Sequence, residues 1–144
     1  MDAVKQAGAD LVVCHRDKDY LKSKWTNDRG VDIILEMLSN VNLPEDLNTT
    51  GQNGLILVIG SRGAVQVNPR CLMGKESAVM GIALMKATPE EWQAMAENVA
   101  RGAEEGWIKP VMDRTYPLGG AKAAHHDLIN RKGAKGKVTL NPDQ

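Results

Sequence analysis

Four short, nearly unbroken apolar runs constrain this chain more than any other feature: DLVVCH at 10–15, VDIILEM at 31–37, GLILVIG at 54–60 and SAVMGIAL at 77–84. Each is of strand length. A strand with one solvated face alternates apolar and polar residues, whereas a strand covered on both faces, as in a parallel sheet, can be apolar throughout. Parallel neighbours need a crossover connection, and the segments between the runs, 19–27, 44–50 and 70–76, have helical character. Strand and helix in alternation predict an α/β fold.

The clearest helix is TPEEWQAMAENVARGAEEG at 88–106. Thr88 can cap it, Pro89 suits the first helical position, and Glu90 and Glu91 oppose the positive end of the helix dipole. Trp92, Met95, Ala96 and Val99 recur at helical spacing and are assigned to the core. Gly102 and Gly106 weaken and then end the helix. Beyond it the sequence predicts an extended segment to residue 116, a helix over 121–130, a Gly/Lys turn and a last strand at 137–140.

At 144 residues the chain is long enough to bury a core. Eighteen basic residues balance eighteen acidic ones, so no overall field draws it to nucleic acid or to an anionic membrane. The two cysteines, Cys14 and Cys71, form no CxxC and no zinc-spaced cluster. His125 and His126 are sequence neighbours whose side chains diverge by about 100 degrees on a helix, so they cannot chelate one metal together. No metal site is expected. No apolar run approaches the roughly 20 residues of a membrane helix, and the N-terminus has no signal-like apolar segment. A cytoplasmic protein that does not touch the membrane is the simplest expectation.

The segments EMLSNVNL (36–43), VIGSRGAVQVNPR (58–70), KES (75–77), IKPV (108–111), YPL (116–118) and GAKGKVTL (133–140) together resemble the C-terminal part of the zeta-crystallin-like NADPH:quinone oxidoreductases. These belong to the zinc-independent medium-chain dehydrogenase/reductase superfamily. The likeness runs over nearly the whole chain, and its first two segments are the most specific. It implies a partial, Rossmann-like, doubly wound parallel sheet carrying strands three to six of that fold over residues 1–106. Residues 107–144 would then be the segment that returns to a catalytic domain. The implied cofactor is NADPH without zinc, and the implied substrate of the parent enzyme is a quinone.

The resemblance also assigns residues. His15 matches a histidine near the adenosine end of NADPH, Asn42 a cofactor-binding asparagine, and Ile59, Gly60, Ser61 and Arg62 the segment that runs along the cofactor. Elementary chemistry agrees with that placement. Ligands of doubly wound sheets lie beyond the carboxyl ends of the strands, and all of these positions follow predicted strand ends. Gly60 lets backbone approach closely, Ser61 offers a hydroxyl, and Arg62 can pair with a phosphate oxygen. No residue is a credible proton donor to a quinone, so no catalytic residue is assigned and independent turnover is expected to be weak or negligible.

Two departures shape the expectations further. The glycine fingerprint that binds the pyrophosphate is not in the chain, which reads as a truncated part of a longer enzyme. In the strand order 3-2-1-4-5-6 the run at 10–15 is also not adjacent to the run at 31–37. Direct pairing of these two runs, with 19–27 as the crossover, is expected to close the gap. The alternative function is nucleotide or RNA binding without catalysis, for which Arg131, Lys132, Lys135 and Lys137 supply a small basic cluster. The apolar run at 77–84 could pair edge to edge in a homo-oligomer.

Overall fold

A computed structural model describes residues 2–14, 26–131 and 136–143. They fall into two compact units, Met1–Ala87 and Thr88–Gln144. The first opens with a short exposed helix, α1 (Asp2–Gln6). It then carries β1 (Val31–Glu36), α2 (Ser39–Thr49), β2 (Thr50–Val58), α3 (Arg70–Met73) and β3 (Ala78–Gly81). The second carries α4 (Pro89–Glu104), β4 (Met112–Pro117), α5 (Ala121–Asn130) and β5 (Lys137–Asn141).

β1, β2 and β3 form a parallel sheet in that order, with Ile34 beside Ile56 and Ile56 beside Val79. The apolar runs at 31–37, 54–60 and 77–84 thus become neighbouring parallel strands joined by helical crossovers, but the covering on both faces that their composition predicts is not formed among the described residues, where Ile33 and Leu35 of β1 and all of β3 are exposed. Leu47 of α2 and Ile56 of β2 are almost completely buried where the helix lies on the sheet. Glu36, Ser39, Asp46 and Thr50 are also buried, so the interior beside that contact is polar.

The first apolar run behaves differently from the expectation. Residues 10–14 form no strand and join no sheet, and β1 pairs only with β2 among the described residues. The predicted pairing of 10–15 with 31–37 is therefore not formed. A run without a paired neighbour gains no ladder hydrogen bonds, and in the Rossmann order two strands stand between this run and β1. The predicted crossover at 19–27 lies almost entirely outside the described residues.

In the second unit β4 and β5 pair in parallel, Tyr116 beside Leu140, with α5 as the crossover. Helix α4 begins as the sequence predicts: the Thr88 hydroxyl accepts from the Glu91 N–H at 3.3 Å and the Glu91 carboxylate accepts from the Thr88 N–H at 2.8 Å. This reciprocal pair is a capping box. The apolar stripe, however, is not core. Trp92 and Val99 are exposed, and the buried residue of α4 is Gly102, where an added Cβ would lie 2.6 Å from the Trp107 ring. Helical spacing shows that a face is apolar but not that a neighbour covers it; at Gly102 it is the returning Trp107 and Ile108 that pack on α4. The turn at Leu118–Gly120 is 3-10 helix, and α5 runs from Ala121 to Asn130, as the sequence predicts.

Candidate functional site

The carboxyl ends of β1 and β2 meet at one point, and Glu36 is the residue that joins them. Its carbonyl accepts from the Ile59 N–H at 2.8 Å and from the Gly60 N–H at 3.2 Å. Its side-chain Oε1 accepts from the Leu38 N–H and, at 3.2 Å, from the Asn42 amide. One residue thus fixes the tip of β2, the entry to α2 and the orientation of Asn42.

The two strand tips are stitched together on either side. The Ser39 N–H donates to the Gly60 carbonyl at 2.9 Å, and the Arg62 N–H donates to Asn40 Oδ1 at 2.9 Å. The Ser61 hydroxyl donates to the Gly63 carbonyl at 3.0 Å, inside its own turn. On the far side of β2, the Ile82 N–H donates to the Val58 carbonyl at 2.9 Å, so the end of β3 reaches the same level.

Five of the six residues singled out in the sequence therefore lie together. Asn42 is half-buried on the first turns of α2, Gly60 is half-buried, and Ile59, Ser61 and Arg62 are exposed at the tip of β2. The sixth, His15, lies outside the described residues. Gly60 has a structural reason to be glycine: a Cβ there would stand 2.2 Å from the Met37 carbonyl oxygen. Its missing side chain thus serves the close approach of the two strand tips.

Three residues of this constellation carry no sequence signal strong enough to find them. Asn40 reads as an ordinary polar position, and Asp46 as a solvated helix residue. Glu36 leaves one hint, a lone acid at the end of an apolar run. In the structure Glu36 is 5% exposed and Asp46 7%. Burial, followed by the hydrogen bond and negative charge of Glu36 and the charge of Glu45, pushes the Asp46 carboxyl up to about 7. Asp46 Oδ2 has no hydrogen-bond partner among the described residues, so an ionised Asp46 would leave a charge buried against other carboxyls.

A cavity of about 430 Å³ opens beside α2, lined by Pro44, Leu47, Asn48, Val67, Asn68 and Cys71 among others. It does not include the residues at the strand tips. The basic cluster is only partly described, because Lys132 and Lys135 lie outside the described residues. Arg131 is committed to Asp113, with Nη1 2.6 Å from its carboxylate. Among the described residues no group of three or more His, Cys, Asp or Glu could hold a metal ion. No helix of the described structure is long and apolar enough to cross a membrane.

A parallel sheet whose strand ends gather Asn42 and 59–62 at one end is the arrangement of a Rossmann-type half. Comparison with known proteins agrees. The family model for zinc-binding dehydrogenases matches residues 7–140. The chain belongs to this family. Among curated relatives, the quinone oxidoreductase of Sus scrofa is 43% identical over 139 residues, which cover 95% of the chain and 42% of the relative. The chain thus spans about two fifths of the length of the curated relatives it matches. The crystal structure of AibC superposes with a TM-score of 0.83 at 30% identity, over 97% of this chain and 41% of that one. A mycobacterial protein solved in complex with NADPH superposes at 0.77 with 24% identity, over 96% and 44%, which shows the shared fold. The partial Rossmann-type fold inferred from the sequence is thereby established.

Proposed function

We propose that this dehydrogenase-family chain supplies one wall of the NADP(H) crevice of a quinone oxidoreductase. The observation that supports it most directly is the convergence of Asn42 and Gly60–Arg62 at the carboxyl ends of adjacent parallel strands. The quinone oxidoreductases among the relatives and the NADPH-bound neighbour support a quinone as the substrate and NADP(H) as the cofactor.

In this reading Ile59 gives an apolar contact, Gly60 and Ser61 present backbone, and Arg62 turns its guanidinium toward a phosphate. His15, outside the described residues, is assigned to the adenosine end by the family resemblance alone. Asn42, anchored by Glu36, keeps its amide oxygen available to the cofactor. The cofactor supplies the hydride, and the chain's own residues bind and orient it. None of them donates a proton to the substrate. The reading involves no zinc, as the resemblance to the zinc-independent branch of the superfamily implies. Residues 1–106 act as the cofactor-binding part, 107–144 as the segment returning to a catalytic domain, and the exposed edge strand β3 as the seam for a second copy.

Fluorescence titration of the purified chain tests this reading. NADPH binds and is competed by NADP⁺, and Arg62→Ala weakens it about tenfold, the effect of losing one exposed charge-assisted phosphate contact. An NADPH affinity unchanged by Arg62→Ala and by Asn42→Ala would remove the crevice from this site.

A further inference from the structure

Beneath the strand tips lies a pair of buried acids that the cofactor reading does not use. Glu36 closes β1, and Asp46 sits on α2 one turn beyond Asn42, on the same helix face as the amide that reaches Glu36 Oε1; both acids are more than nine-tenths buried. Glu36 Oε1 is already engaged by the Leu38 N–H and the Asn42 amide. Asp46 Oδ2 has no donor facing it among the described residues. A buried carboxylate without a donor is strongly disfavoured, but a carboxylic acid can supply its own hydrogen bond by donating to the neighbouring acid.

We propose that Asp46 is a positioning residue held as a neutral acid, which donates its proton to Glu36 and so locks the Glu36 carboxyl in the orientation that holds Asn42 and the entry to α2. The chain of contact is short. Asp46 fixes Glu36, and the Glu36 side chain fixes Leu38 and Asn42. The Glu36 backbone, held in the same place, fixes Ile59 and Gly60. Loss of that proton puts two negative charges side by side in a site that cannot hydrate them, and the crevice wall loosens.

The surroundings favour the neutral form. Glu36 and Glu45 both oppose charge on Asp46, and burial adds to their effect. Asp32, the other acid of β1, is exposed and paired with Arg29. β2 carries no titratable side chain. From α3, Cys71 lies 3.6 Å from Asn48 Oδ1, and Arg70 is exposed. Lys75 spends its ammonium on the carbonyls of Leu47 and Asn48, at 2.9 and 2.6 Å, rather than on the Asp46 carboxyl.

The proposal deepens the reading of Asn42 as a cofactor residue, but it can be tested without any cofactor. Carboxyl-carbon NMR of the full chain should show Asp46 titrating near neutrality. Over the same range, amide protection factors at Leu38, Ile59 and Gly60 should fall by up to about tenfold per pH unit between pH 5 and 7, then level off. In Asp46→Asn, whose amide is a permanent neutral donor, protection should be flat over that range. Glu36→Gln should bring the Asp46 titration back toward ordinary acid values. An Asp46 midpoint near 4 in the wild-type chain overturns the proposal even if the variants do not fold. So does an equal pH slope in Asp46→Asn. If protection follows the proton while NADPH does not bind, the positioning pair stands and the cofactor reading falls. If NADPH binds while protection is flat, the reverse holds.

Discussion

The two units are built on the same plan and solve it with opposite electrostatics. Each has a pair of parallel strands joined by a helix, β1–α2–β2 in the first and β4–α5–β5 in the second. In the first, the helix buries Leu47 together with Asp46, and the acid is pushed toward its neutral form by burial and by Glu36. In the second, the helix buries only Ala124, and its acid, Asp127, stays at the surface. There Tyr116 donates to Asp127 at 2.5 Å and Arg114 at 3.0 Å, and these contacts hold its carboxyl below the usual range, the tyrosine hydrogen bond first. One connection type thus yields one acid that is best protonated and another that is best ionised. The difference lies in what surrounds each helix.

Core truncation should separate the units most. Leu47→Ala removes a side chain that is 1% exposed and should cost about 3 kcal/mol, whereas Ala124→Gly loses one methyl and some helix propensity, about 1 kcal/mol. Chemical denaturation of the two variants checks this, and equal losses would break the comparison. The pH response comes next. Asp46 has a folded value of about 7 against an ordinary 3.8, so its stabilisation is complete below about pH 4 and is lost as pH rises through 7. Asp127, lowered in the fold, contributes the opposite way, present above its ordinary value and lost as acid is added. Amide protection at Ile56 and Val138, followed from pH 3 to 8, should move in opposite directions, and parallel curves would refute the contrast.

Helix starts give a smaller effect. Helix α4 is capped locally, and Thr88→Ala should cost about 1 kcal/mol in thermal melts. Helix α2 has Leu38 at its cap position, with no side-chain cap of its own, and the Leu38 N–H donates to Glu36 instead. The smallest effect sharpens the second unit: Tyr116→Phe should raise the Asp127 titration toward the ordinary value in carboxyl NMR. No movement would leave Arg114 as the cause.

How far the sequence could be read follows the same division. The capping box of α4 was legible because Thr88, Pro89 and Glu91 act within one turn. Helix α5 and the strands at 31–37, 54–60 and 77–84 were legible because their residue patterns match their local periods. The tip at 59–62 and Asn42 were marked by the family motifs and by their place after strands. What could not be read depended on neighbours far along the chain. The run at 10–15 has strand composition but no ladder, and the stripe of Trp92 and Val99 is apolar but uncovered. Glu36 and Asp46 are ten residues apart and look like solvated acids until the helix folds back over the strand.

The sequence by itself determined the element types, the parallel α/β plan and the family, because these rest on local periodicity and on short motifs whose residues act close together. Only the tertiary structure decided which runs pair, that Gly60 is required by the Met37 carbonyl, and that two acids share the interior under Asn42. Burial and long-range contact set those outcomes, since a carboxyl's charge and a strand's hydrogen bonds depend on what the rest of the chain brings beside them.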